Sequence, residues 1–291
     1  MVSLADNVAL ARPQTTSIEE VEQRVQSERA RQRRRERTTE IVYPASVVVG
    51  ILLAWEIGTD FLGVPTYLFP APSEILVACY RNAGLLLRES WITTVEILLG
   101  YILSIVVGIP LALAIFHWPV FAKSIYPLLI STQAMPKVAV APLFIVWFGF
   151  GLLPKVFIAF LIAFFPIVIN TVMGLSAVER EKIYLARSMG LSSFETFRLI
   201  RFPSALPSIF AGLKISITLA VVGAVVGEFV GGDGGLGYQL MVANGSMDTP
   251  LLFAGVVALT ILGVLLFGLV GLIEQLAMPH QEPANGSSAA V

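Results

Sequence analysis

An all-α, polytopic membrane protein of about six transmembrane helices is the fold class this sequence predicts, on three observations. The 291 residues are 56% hydrophobic and 13% charged, with a mean hydropathy of +0.81, where soluble domains average about 45–50% apolar and about 25% charged. Six apolar segments reach the roughly 20 residues that a crossing needs: 42–62, 92–115, 126–149, 156–177, 208–230 and 251–274. Between the fourth and the fifth lies the only long polar stretch in the middle of the chain, residues 179–207, with Arg180, Lys182, Arg187, Arg198 and Arg201.

Taken in order, residues 1–40 are hydrophilic and carry eight arginines ahead of the first span. They read as a basic cytoplasmic tail before a retained anchor, since a secretory signal would place its basic region at the start and end its apolar core at a cleavage site. The arginine run has a sufficient reason in topology and in attraction to anionic lipid. Residues 41–278 form the transmembrane domain. Within it, 64–90 read as an outer Pro-rich hook followed by a surface helix. Residues 279–291, rich in Pro, Gly, Ser and Ala, read as a disordered tail. Basic residues crowd the tail and the 179–207 loop and leave only Arg81, Arg88 and Lys155 on the other side. That asymmetry predicts cytoplasmic N- and C-termini and a cytoplasmic loop.

The loop has internal signals. Residues 178–189 have helical composition, and Gly190 stands where a positive φ would end that helix. Ser192 with Glu195 three residues on has capping-box spacing and starts a second helix. Pro203 and Pro207 are then expected to stop or kink it, confining it to about 192–202.

Ala186, Gly190 and the run Ile200-Arg201-Phe202-Pro203 resemble the EAA coupling loop of bacterial ATP-binding-cassette importer permeases. The resemblance extends to the nitrate, sulfonate, taurine and pyrimidine-precursor branch. It does so through Pro70-Ala71-Pro72-Ser73-Glu74, Met135-Pro136-Lys137-Val138-Ala139-Val140-Ala141-Pro142-Leu143, Ala205-Leu206-Pro207-Ser208-Ile209-Phe210-Ala211-Gly212-Leu213 and Gly235-Leu236-Gly237-Tyr238. Tyr184 and Leu185 depart from it, standing where the loop's namesake Glu and first Ala usually fall. The resemblance implies a non-catalytic permease subunit in the inner membrane that passes a small solute, either a sulfonate-, taurine- or nitrate-like anion or a vitamin precursor. It implies cytoplasmic ATPase subunits, an external solute-binding protein and a second copy of the permease, with Ala186, Gly190, Ser192, Glu195, Arg198, Ile200 and Pro203 forming the ATPase-coupling loop.

The chemistry-bearing residues add exclusions. Residues 231–237 are glycine-rich, but a phosphate-binding Walker loop ends in Gly-Lys-Ser/Thr, and no lysine here follows a glycine. They are expected to form a flexible outer turn, and ATP is expected to bind another chain. Cys79 is the only cysteine and the two histidines lie far apart, so no metal site, no cofactor and no catalytic triad are expected on this chain. Glu56, Glu96, Lys137 and Glu228 are ionisable residues inside apolar spans, where they mark pathways or ion pairs. Lys137 and Glu228 are the candidates for the translocation pathway, whereas Glu96 is expected near water at the outer interface. Gly212, Ser216, Ala220, Gly223, Ala224 and Gly227 form a small-residue stripe that suits either packing within the protomer or a dimer axis. A self-sufficient secondary transporter or channel is the alternative; it would be expected to show a repeat pair, and none is detectable. A helix-turn-helix reading of the loop fails because flanking spans deny it the clearance that a DNA groove requires, so no nucleic-acid partner is expected.

Overall fold

The computed structural model describes residues 42–278, so the expected tails at 1–40 and 279–291 lie outside the described residues. Every regular element among these is helical. Helix α1, Val42–Leu62, is one unit, and the chain from Val64 onward is a second. In the second unit α2 (Pro72–Arg81) lies on the surface as expected, with Ile75 and Ala78 buried. It leads into α3 (Ala83–His117), α4 (Pro119–Gln133), a 3₁₀ turn (Lys137–Val140) and α5 (Ala141–Phe148). Then come α6 (Leu152–Ser176), α7 (Arg180–Ser188), α8 (Ser193–Thr196), a π turn (Phe197–Arg201), α9 (Phe202–Gly231), α10 (Leu236–Gly245) and α11 (Thr249–Ala277). Among the described residues five helices are long and apolar enough to cross a membrane, or six if α4 and the segment Lys137–Phe148, bent against each other, are one broken span.

Helix α6 is the centre of the second unit, gripped by α3 on one side and α9 on the other. Glycine makes that close approach possible. A Cβ built on Gly223 of α9 would lie 2.6 Å from Ala159 Cα, and one on Gly100 of α3 would lie 2.6 Å from Ala159 Cβ. Gly212 meets Asn170 and Gly227 meets Lys155 in the same way. The small-residue stripe is therefore used within the protomer, against α6. In lipid, where no hydrophobic force drives helices together, such van der Waals contact is what holds them. Helix α11 closes over α9, tied by the Lys214–Glu274 ion pair and by Leu266 and Val270 in the main core.

Three span boundaries differ from expectation. Helix α3 starts at Ala83 rather than near 92, because Arg88 and Glu89 pair with each other and Glu89 is buried on a backbone partner. The third span breaks over residues 134–136, and its halves meet at 94°. Pro136 lacks an N–H and drives Met135 out of the helical region, which ends α4, and Pro142 suits the first turn of α5. Pro203, by contrast, stops nothing. The N–H of Phe202 reaches back five residues to the carbonyl of Phe197, so the helix widens just before the proline ring and runs on. Residues Ser193–Gly231 are one continuous helix of 39 residues.

The Gly223 contact gives a direct test. Gly223→Val should overpack the α6–α9 crossing at a cost of about 1–3 kcal/mol, lowering the detergent melting temperature and membrane abundance. Gly263→Ala, whose Cβ would meet open space, should leave both unchanged.

Candidate functional site

The 179–207 loop is built by hydrogen bonds that the sequence announced. Helix α7 ends at a C-cap on Met189, and Gly190 follows with φ +84°. The N–H of Gly190 donates to Arg187 O at 3.0 Å and that of Leu191 to Ala186 O at 3.1 Å. These two bonds are a Schellman motif, which needs a left-handed residue at that position. Ala186 is 2% exposed beneath the corner, and any larger side chain would lift α7. On the far side Ser192 and Glu195 cap each other: Glu195 N–H donates to Ser192 Oγ at 3.2 Å, and Ser192 N–H to Glu195 Oε2 at 2.8 Å. Arg198 and Pro203 are exposed and Ile200 half-buried along the π turn and the start of α9. The loop also presents Tyr184, Leu185, Met189, Phe194 and Leu199, all 61–72% exposed. Tyr184 and Leu185 thus present an apolar surface where the resemblance would place an acidic residue.

At the other end of the same helices lies a buried charge network. From Glu96 to His117 α3 climbs about 30 Å at 1.5 Å per residue, so this network and the loop occupy opposite ends of the bundle. Lys155, in the first turn of α6, is 2% exposed. Its ammonium donates to Glu96 Oε1 on α3 at 2.9 Å, to Asp233 Oδ1 at 3.1 Å and to Gly234 O at 3.2 Å. Thr93 Oγ1 donates to Glu228 Oε1 of α9 at 2.7 Å and accepts from Leu236 N–H at 2.8 Å. Glu228 Oε2 accepts from Gly237 N–H, and Glu89 Oε2 from Gly235 N–H at 2.7 Å. Gly235 sits at φ +104°, and a Cβ there would strike the Glu228 carboxylate.

This network corrects three expectations. The glycine turn is pinned rather than flexible: the backbone of residues 234–237 is bonded to α3, α6 and α9. Glu96 is 1% exposed, away from water. Lys155, counted from the sequence as a surface charge, is the buried hub. Its only signal was the pairing of one lysine with the carboxylates of other spans, and sequence spacing does not encode that. Glu228, a pathway candidate, is 1% exposed and closed off in this structure. Lys137, the other, sits at the break of the third span with its ammonium 4.3 Å from the centre of the Phe165 ring. The flanking helices pack along one face only: α4 lays Phe121, Ile125 and Leu129 against the core yet buries no residue fully, and α5 buries only Ala141.

A buried ion pair that loses one partner costs about 3–5 kcal/mol, because the other charge stays buried. Lys155→Met should therefore sharply lower melting temperature and abundance, and adding Glu96→Gln should restore part of the loss. Asp233 is held below the usual carboxylate range by its hydrogen bond from Lys155. A depressed carboxylate contributes stability above its unfolded pKa of about 3.9 and loses it as pH falls through the folded value. The melting-temperature difference between wild type and Asp233→Asn should stay constant from pH 8 to about pH 5 and shrink only in more acidic buffer.

Comparison with known proteins agrees with this architecture. Residues 100–278 match the family described as the binding-protein-dependent transport system inner membrane component. The chain is 35% identical to the formylaminopyrimidine transport permease protein ThiX of Halalkalibacterium halodurans, over 84% of this chain and 98% of that one. It is 36% identical to the riboflavin transport system permease protein RibX of Chloroflexus aurantiacus, over 78% and 85%. A solved structure titled as inward-facing conformations of the MetNI methionine ABC transporter superposes with a TM-score of 0.57 at 21% identity, covering 67% of this chain and 97% of that one. Loop motif, spans and relatives converge: the chain belongs to the binding-protein-dependent transport system inner membrane component family and is a membrane-spanning permease of an ATP-binding-cassette importer.

Proposed function

We propose that two copies of this permease enclose a pathway for a small heterocyclic solute handed over by an external binding protein, driven by ATPase subunits gripping the 179–207 loop. The observation that carries the reading is the loop itself: a corner made rigid by a Schellman motif and a capping box, presenting exposed apolar side chains on a helix that continues through the membrane. A tether would need neither caps nor apolar display. Support for a heterocyclic solute comes from the names of two relatives, a formylaminopyrimidine permease and a riboflavin permease. Support for placing the pathway at the broken span comes from Lys137, at a helix break where freed backbone groups must face protein or water, and from the unpacked faces of α4 and α5 on which a second copy can close. Glu228 then belongs to the seal at the outer end of that pathway.

In this mechanism ATP binding closes the ATPase pair, which moves both loops. The motion enters the membrane along the helix of 39 residues that begins at Ser193. Coupling requires two arrangements of the bundle that ATP at one end and solute at the other favour differently. Tight α3–α6–α9 packing makes the bundle switch as a body, since packed interfaces repack in steps and do not deform continuously.

Gly190 separates coupling from folding. A Cβ at Gly190 would meet no atom within 4 Å, so only the positive φ is at stake, which disfavours a β-branched residue most and asparagine least. Gly190→Val should leave abundance normal while abolishing ATP-dependent solute uptake in vesicles, and Gly190→Asn should keep most of it. Full uptake by Gly190→Val would reduce the loop to a connector, and uptake driven by an ion gradient without an ATPase would refute the importer mechanism. Orientation has its own test. With Cys79 replaced, a cysteine at Asp233 should react with an impermeant thiol reagent outside intact cells, whereas one at Ser193 should be protected.

A further inference from the structure

A cavity of about 750 Å³ opens between the inner end of α3 and the helices of the loop. Apolar Pro110, Leu113 and Phe116 line it together with Arg187, Arg201 and Trp118. Among the described residues no acidic side chain lines it. The Arg201 guanidinium carbon lies 4.9 Å from the centre of the Phe116 ring, and neither arginine takes part in an ion pair among the described residues. Two free guanidinium groups over a deep apolar recess present a cationic mouth and an oily interior.

We propose that this cavity is a binding site for an anionic phospholipid, its phosphate held by Arg187 and Arg201 and an acyl chain lying along Leu113 and Phe116. Depth selects a lipid over a protein partner. Pro110 lies five residues inside the apolar segment that ends at residue 115, about 7.5 Å along the axis at 1.5 Å per residue, where an acyl chain can reach and a protein outside the bilayer cannot. Guanidinium groups bind phosphate oxygens through paired N–H donors, and basic pockets between helices at a membrane face collect anionic head groups. Trp118 is of the kind enriched where bilayer meets water. Because the site joins α3 to α7 and the π turn, a bound lipid would brace the loop against the span. Membrane charge would then tune how stiffly the loop transmits motion.

The test uses the full-length chain in a neutral detergent, titrated with dioleoyl phosphatidylglycerol or dioleoyl phosphatidylcholine and read by native mass spectrometry and melting temperature. Phosphatidylglycerol should be retained preferentially and should raise the melting temperature. Replacing both arginines by glutamine should weaken its retention about thirtyfold, at about 1 kcal/mol per basic residue. The double lysine variant, which keeps both charges but loses the paired N–H donors, should bind with intermediate strength, and that graded loss at an unchanged lipid-free melting temperature excludes misfolding as the cause. Leu113→Trp, which fills the recess and leaves both arginines, should also weaken retention. Unchanged retention in the glutamine variant would overturn the proposal. Displacement of the lipid by millimolar inorganic phosphate, with Leu113→Trp inert, would make this a free-anion site instead. Loss of a co-purifying ATPase in the glutamine variant, with lipid retention intact, would make it a protein docking surface.

Discussion

One buried ammonium organises the end of this permease remote from the 179–207 loop. Lys155 lies at the start of the central helix, and its donors reach α3 through Glu96 and the glycine segment through Asp233 and Gly234. An ion of that size carries a desolvation penalty of several kcal/mol, which only good geometry and further hydrogen bonds can offset. That constraint explains the shape of its surroundings. The backbone N–H groups of residues 235–237 must come close to satisfy Glu89, Thr93 and Glu228, and glycine at 234, 235 and 237 is what lets them. The charge cluster thus specifies one arrangement of three helices and a segment, where apolar packing alone would tolerate several.

The two ends of the bundle solve opposite problems. At the loop, polar groups lie near water and the structure is local: caps, a positive φ and hydrogen bonds spanning a few residues. At the network, Lys155, Glu96, Thr93, Glu89 and Glu228 are buried, and except for the Gly237–Glu228 bond its links between elements join residues more than fifty apart in sequence. Between them the middle of α6, residues 156–168, supplies a packed centre of apolar side chains only.

That division also decides what the sequence revealed. Spans, loop caps and the corner glycine were legible because each rests on composition or on spacing within four residues. Pro203 misled: a proline's effect depends on whether the preceding turn can widen, and here the Phe202 N–H finds Phe197 five residues back. The glycine segment misled for the converse reason. Glycine runs read as freedom, yet here the missing side chains admit carboxylates to the backbone. Glu96 and Lys155 each looked like ordinary interfacial charges, and only the register of α3 against α6 brings them together. The choice between a dimer axis and internal packing for the small-residue stripe likewise needed the partner helix, since period alone does not say what lies opposite.

The uninterrupted helix from Ser193 to Gly231 has a consequence for how this gene can vary. It is about 58 Å long at 1.5 Å per residue, with Ser192 capping one end and Glu228 fastened at the other. One residue added or lost anywhere between them would turn everything downstream by about 100°, the rotation per residue at 3.6 per turn. A change ahead of Gly212 would swing Gly212, Gly223 and Gly227 off α6 together, and one further along would part those on either side of it. The only slack is the π turn at Phe197–Arg201, which already holds one residue more per bond than an α turn. Substitutions can accumulate along this stretch, but insertions and deletions should be excluded from it, their tolerance shifting to the links between helices at residues 177–179 and 246–248.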